Sequence, residues 1–222
     1  MWFLLLSAGP GTFGMADEVK PFDNVPGWGR VVDPAGDCAF EQKDNMFTIR
    51  VPGDGHDLWP LKGKVNAPLV LQDAEGDFTV EVLIQSVEKA ENGTAIPGLA
   101  STTAFHAGTL VIWKDAKNFV RLDRTDMNKD GKAITSCYFH IFKEGERVVE
   151  LSPIVRDKPT SLRLTRKADR LTASYSQDGG KSWREFPEQA IDLPVKVKAG
   201  ISALNSTVRP NTVVFESLKI TK

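Results

Sequence analysis

Hydrophobic and polar positions alternate with a period of two over much of this chain. In residues 77–86, Phe78, Val80, Val82 and Ile84 fall on one face, with Thr79, Glu81 and Gln85 on the other. That is the pattern of a strand buried on one side. Leu162 and Leu164 alternate with Arg163 and Thr165, and Leu171, Ala173 and Tyr175 alternate with Thr172 and Ser174. Residues 211–222 predict a last strand, with Val213 and Phe215 inward and Leu218 and Ile220 turning inward again after a bulge.

Turn chemistry separates these runs. Residues 114–118 (KDAKN) divide the apolar run 110–113 from 119–122, and 143–146 (KEGE) divide 138–142 from 147–151. Residues 167–170 (KADR) join the two leucine-containing strands. Each predicts a hairpin. No apolar pattern has the period and length of an amphipathic helix. Residues 87–98 (VEKAENGTAIPG) predict a polar loop with a short helical start. About a dozen short, mostly antiparallel strands imply an all-β fold, a two-sheet β-sandwich or jelly roll. The expected organisation is a leader over residues 1–16, a lead-in over 17–25 and one sandwich domain over 26–222.

Composition narrows this picture. The chain has 222 residues, 41% hydrophobic and 26% charged, an ordinary globular balance that excludes wholesale disorder. Lys and Arg number 28 against 29 Asp and Glu, so the basic excess that nucleic acid demands is missing. Three His and two Cys, without any CxxC spacing, give no expectation of a metal cofactor.

Trp2 to Leu6 form an apolar run, and Gly14 and Ala16 stand at −3 and −1 before Asp17. This suits signal-peptidase cleavage, although a basic n-region is missing. The run falls short of the ~20 apolar residues that span a bilayer. The expectation is a secreted or periplasmic protein with no membrane span, with a cytoplasmic location as the alternative. In an exported protein Cys38 and Cys137 can close a loop of ~100 residues, worth up to about 4.7 kcal/mol. The alternative is two buried free thiols acting as small hydrophobes.

Several segments carry a family resemblance. They are Trp28 to Cys38 (WGRVVDPAGDC), His56 to Pro60 (HDLWP), Asn66 to Gln72 (NAPLVLQ), Glu75 to Phe78 (EGDF) and Ala107 to Leu122 (AGTLVIWKDAKNFVRL). Together they resemble the concanavalin A-like lectin/glucanase superfamily. The branch is the domain-of-unknown-function group that includes the fungal "regulation of enolase" protein. The segments are also similar to the β-sandwich at the C-terminus of some β-xylosidases. The resemblance spans residues 26–222 and implies a two-sheet jelly roll with a concave face that often binds sugars. It does not imply one activity.

Two further motifs read as structure. Ser176-Gln177-Asp178-Gly179-Gly180-Lys181-Ser182-Trp183 matches SxDxGxxW. It predicts a tight turn in which Asp178 accepts backbone amides, Gly180 takes a positive φ and Trp183 packs beneath. Asp126-Met127-Asn128-Lys129-Asp130-Gly131 copies half of a calcium loop, but Cys137 stands where the bidentate Glu belongs. A polar hairpin loop is expected there, with a loose structural calcium as the lesser alternative.

The paired acids of the superfamily's glucanases (ExDxE) are absent, as are GxSxG and a phosphate loop. This leans against catalysis. A binding site remains. Arg121 and Asp123 share one strand face, His140 shares another with Tyr138 and Phe142, and His56, Asp57 and Trp59 lie in a Gly- and Pro-rich loop. With Trp113 of the signature hairpin, the candidate ligand-binding residues are His56, Trp59, Trp113, Arg121 and His140. Planar polar groups beside aromatic rings suit carbohydrate. The expected function is a non-catalytic, exported carbohydrate-binding sandwich. The alternatives are a glycan-active hydrolase or lyase with an unrecognised acid pair, and an intracellular regulator of the enolase-related type.

Overall fold

The structure, a computed structural model, describes residues 24–96 and 103–222. The expected leader, most of the lead-in and the end of the 87–98 loop lie outside the described residues. The chain runs through β1 (Arg30–Val32), β2 (Ala39–Lys43), β3 (Met46–Val51), β4 (Leu58–Trp59), β5 (Lys64–Val65), β6 (Leu69–Glu75), β7 (Phe78–Val87), β8 (Ala104–Asp115) and β9 (Asn118–Lys129). It continues through β10 (Lys132–Lys143), β11 (Glu146–Leu151), β12 (Thr160–Lys167), β13 (Arg170–Ser176), β14 (Arg184–Glu185), β15 (Gln189–Ala190), β16 (Lys196–Asn205) and β17 (Asn211–Thr221). Among the described residues the helical content is one 3₁₀ turn, Pro60–Lys62.

The strands form two large antiparallel sheets. One has the order β1-β6-β16-β8-β9-β10-β11, and the other runs β14-β13-β12-β7-β17-β3-β2 with β15 beside β13. The alternation seen in the sequence sets what lies between them. Val80, Val82 and Ile84 of β7, Leu162 and Leu164 of β12, and Val213 and Phe215 of β17 face Leu110, Ile112, Val120, Leu122, Phe139 and Ile141 in one core. Full burial of such side chains contributes about 1.5–3 kcal/mol each. On β8 a Cβ at Gly108 would lie 2.8 Å from Val213 Cγ1, so glycine permits the sheets to meet there.

The predicted turns form as their chemistry requires. Asp115 Oδ1 accepts the Lys117 and Asn118 amides at 2.8 and 2.9 Å, closing the β8–β9 hairpin. After β13, Asp178 Oδ1 accepts the Ser182 amide at 2.9 Å and Gly180 sits at φ +82°. Trp183 donates to the Gly180 carbonyl at 3.2 Å, while the Arg163 guanidinium stacks on its ring at 3.5 Å. The register of β17 shifts between Val214 and Phe215 and again between Glu216 and Lys219; Leu218 is buried within the second bulge, and Ile220 beyond it packs partly buried against the core.

Two expectations are corrected, and of the two alternatives for the cysteines one holds. Residues 88–96 hold a turn and no helical start. The half calcium loop is mostly strand, because β9 runs on to Lys129. Asp126 is turned inward, accepting from Thr135 Oγ1 at 2.9 Å with Arg124 Nη1 at 3.1 Å. Only Asp130 and Gly131 remain for the turn. The disulfide is not formed, and Cys38 and Cys137 are both free. Cys38 precedes β2, the edge of its sheet, whereas Cys137 lies on β10 at the far side of the sandwich, beyond β9, which packs on β12. Three strands, β3, β17 and β7, separate β2 from β12, at about 4.8 Å per strand spacing.

Candidate functional site

The outer face of the seven-stranded sheet carries a second set of side chains. On β9 these are Phe119, Arg121, Asp123 and Thr125. Register places them against Phe142, His140, Tyr138 and Ser136 of β10. The inner positions between them, Val120 and Leu122, belong to the main core. The segment holding β4, the 3₁₀ turn and β5 folds over this face.

One end of the face is apolar. Phe119 and Phe142 stack at 4.6 Å, and Trp113 stacks on Phe119 at 4.9 Å. Leu58, Leu69, Leu71, Val111 and Leu204 close a small second core around them.

The adjoining end is polar and buried. Arg121 is 3% exposed, His140 3% and Asp123 2%. Arg121 Nη1 donates to Asp57 Oδ1 at 3.0 Å and to the Leu58 carbonyl at 3.1 Å. Its Nε donates to His140 Nδ1 at 3.1 Å and lies 3.2 Å from Asp123 Oδ2. Asp123 Oδ1 accepts from Thr109 Oγ1 at 2.9 Å, and Asp57 Oδ1 caps the Leu58 amide at 2.7 Å. Arg121 therefore ties the covering segment to the sheet.

This bonding fixes the histidine. A guanidinium can only donate, so His140 Nδ1 is the acceptor and the ring proton sits on Nε2. That Nε2 is buried and has no hydrogen-bond partner. Burial first, then the charges of Arg121 and Arg147, hold His140 well below its ordinary pKa, so the ring is neutral at pH 7. Burial pushes Asp123 up to about 6, against the pull of Arg121 and the Thr109 bond. Burial also raises the Tyr138 phenol, with the Glu150 charge adding to it.

Above these groups lies a groove of about 400 Å³, with Asp57, Trp59, Arg121, Asp123, Tyr138 and His140 along it and Phe105, Thr125, Arg147 and Glu150 around them. Trp59 meets His140 edge-on at 6.2 Å, and the Arg147 guanidinium lies over its ring at 4.7 Å. Arg147 also pairs with Glu150 at 2.6 Å.

Of the five expected ligand residues, Trp59, Arg121 and His140 meet in this groove. Trp113 and His56 do not. Trp113 belongs to the apolar end and borders a separate hollow with Val65, Leu69 and Leu71. His56 lies 2.9 Å from both Asp37 and Asp54, and its backbone bridges Asn205. The groove also takes Thr125, Phe105, Arg147 and Glu150, which sequence reasoning missed. Thr125 shares the strand parity of Arg121, a signal that could have found it. Phe105, Arg147 and Glu150 come from other strands and follow only from cross-strand register.

No protein-family model matches the chain, and no curated protein matches it in sequence. Solved structures do. A functionally unknown protein from Saccharomyces cerevisiae superposes with a TM-score of 0.68 at 14% identity, over 87% of this chain and 96% of that one. A xylan β-1,4-xylosidase from Bacillus halodurans C-125 gives 0.54 at 14% identity, over 98% of this chain and 41% of the other. A GH43 protein from Bacillus licheniformis gives 0.55 at 11% identity, over 86% and 38%. The fold is a concanavalin A-like sandwich. This chain spans about two fifths of each of those two bacterial chains. Within this concanavalin A-like sandwich, the groove lies on the outer face of the seven-stranded sheet, clear of the inter-sheet core.

Proposed function

We propose that the groove binds a neutral oligosaccharide and performs no chemistry on it. The observation that carries the reading is His140 Nε2, a buried donor with no protein partner beside a half-buried tryptophan. Buried polar groups are rarely left unpaired without a purpose. A sugar hydroxyl is an acceptor of the right size for it, and Tyr138 and Thr125 offer further hydroxyl partners at the same groove. Arg121 is paired with Asp57 and Asp123, and Arg147 with Glu150, which suits an uncharged ligand. The volume falls within the roughly 300–1,000 Å³ of small-molecule pockets. The likeness to the xylosidase from Bacillus halodurans makes xylo-oligosaccharides the first ligands to try.

The test is calorimetry with xylo-, gluco-, manno- and galacto-oligosaccharides at millimolar concentration. One class should bind, and His140→Phe should weaken it about tenfold, the loss of one hydrogen bond worth roughly 1.4 kcal/mol. No binding to any member of the panel would overturn the reading.

One observation favours a glycan-active enzyme as the second reading. Asp123, pushed up to about 6, has the character of a general acid, and Asp57 is a second carboxylate at the same groove. Both acids, however, are paired with the same guanidinium. New reducing ends or unsaturated products released from the panel, and lost in Asp123→Asn, would establish this reading instead. Export belongs to the proposal as well and rests on the leader pattern of residues 1–16. Secretion of a reporter fused to those residues tests it, and retention of the reporter in the cytoplasm would favour the regulator role. Among the described residues no helix is long and apolar enough to cross a membrane.

A further inference from the structure

A second cluster of reactive groups stands apart from the groove and is independent of the sugar reading. The turn 33–38 and the segment 54–56 bring Asp37, Cys38 and His56 together, and their ligand atoms all lie within 4.8 Å of one another. His56 Nε2 is 2.9 Å from Asp37 Oδ1, and Cys38 Sγ is 3.6 Å from the same oxygen. Asp33 Oδ2 accepts the Cys38 amide at 2.9 Å, while its Oδ1 is buried without a partner. His56 is 1% exposed, and its Nδ1 lies 2.9 Å from Asp54 Oδ1 in a geometry that makes no hydrogen bond. Three carboxylates thus surround one imidazole and one thiol. Among the described residues no lysine or arginine pairs with Asp33, Asp37 or Asp54. The surplus is negative, and two buried polar atoms are unmatched.

We propose that this cluster is a zinc site, with Cys38 Sγ, His56 Nε2 and an Asp37 oxygen as ligands and Asp33 Oδ1 or a water completing a tetrahedron. One sulfur, one imidazole nitrogen and carboxylate oxygens are the donor types that zinc takes. Bonds of about 2.0–2.3 Å set tetrahedral ligands roughly 3.3–3.8 Å apart, so the widest gap closes by about 1 Å. Ligands drawn from two loops follow no short spacing rule, which is why the sequence carries no zinc signature. The ion would fasten the segment that runs on into Asp57 and Trp59 to the turn ahead of β2.

The experiment uses the full chain, reduced and stripped with chelator, then titrated with Zn²⁺ or Co²⁺ alone. Zinc should bind one to one and raise the melting temperature. Cobalt should give a thiolate-to-metal charge-transfer band. Cys38→Ala should abolish the band and Cys137→Ala should keep it. Asp37 is the exposed ligand, so Asp37→Asn should fold normally while weakening zinc at least tenfold. A wild-type chain with no charge-transfer band, or a band that survives Cys38→Ala, would overturn the proposal. So would zinc affinity unchanged in Asp37→Asn.

Discussion

The apolar and polar ends of the outer face stand on the same two strands, one step of the pleat apart. Phe119 opposes Phe142, and two residues further on Arg121 opposes His140. Both pairs are buried and both sit under the segment that carries Leu58 and Trp59. Their burial is satisfied differently. The aromatic pair needs only contact, and Trp113, Leu69 and Leu71 supply it. The polar pair needs directed partners. Arg121 finds four, in Asp57, Leu58, Asp123 and His140, while His140 finds one and keeps Nε2 unmatched. Burial therefore does not separate structure from function here. In the proposed binding role the unmatched donor is what separates them, because a hydrogen bond can be left half made.

The strongest way to break the comparison is at the apolar end. Phe119→Ala removes a fully buried ring and should cost about 3–5 kcal/mol in urea unfolding. A loss below ~1 kcal/mol would show that this end is not the structural half. At the polar end, Arg121→Met leaves Asp57 and Asp123 buried without their cation and should cost about 3 kcal/mol. Adding Asp57→Asn and Asp123→Asn should recover part of it. If the triple variant were no better than the single one, the cost would lie in packing and not in charge.

The two ends were unequally legible in the sequence. Alternation in 77–86, 162–165 and 171–175 and at Val213 and Phe215 put those core positions on their correct faces, because a one-residue error would invert every side chain. The same parity put Arg121 with Asp123 and His140 with Tyr138. What parity cannot give is the path of a covering loop. His56 and Trp59 are close in sequence, yet Trp59 reaches the groove while His56 turns toward Asp37 and Asp54. Trp113 has the parity of Arg121 through register, but it lies one pleat step along, on the neighbouring strand, stacked on Phe119. The zinc-type cluster was invisible for the same reason, since its ligands meet only when two loops fold together.

Acidification sharpens the comparison at smaller scale. The folded pKa of His140 lies well below the ordinary 6.5, so the folded chain binds fewer protons than the unfolded one in that interval. Its contribution is complete above about pH 6.5 and is lost as pH falls toward the folded value, by up to about 1.4 kcal/mol per pH unit. Asp123 runs the opposite way. Its folded pKa is raised to about 6, so protonation returns stability as pH falls below that value. The difference between wild type and His140→Phe isolates the histidine. Denaturation midpoints between pH 7 and 5 should fall more steeply for wild type, and equal slopes would remove His140 from the buried network. The smallest effect belongs to the exposed pair Lys198–Asp73 near the Trp113 hollow. Asp73→Asn should change stability by less than ~0.5 kcal/mol, and less still at high salt.

The most direct measurement is a calorimetric titration of the oligosaccharide panel into wild type, His140→Phe and Trp113→Ala, each first shown to be folded by its melting curve. The account predicts binding of one sugar class, weakened about tenfold by His140→Phe, the loss of one hydrogen bond, and unchanged by Trp113→Ala. Binding that depends on Trp113 and ignores His140 would contradict it.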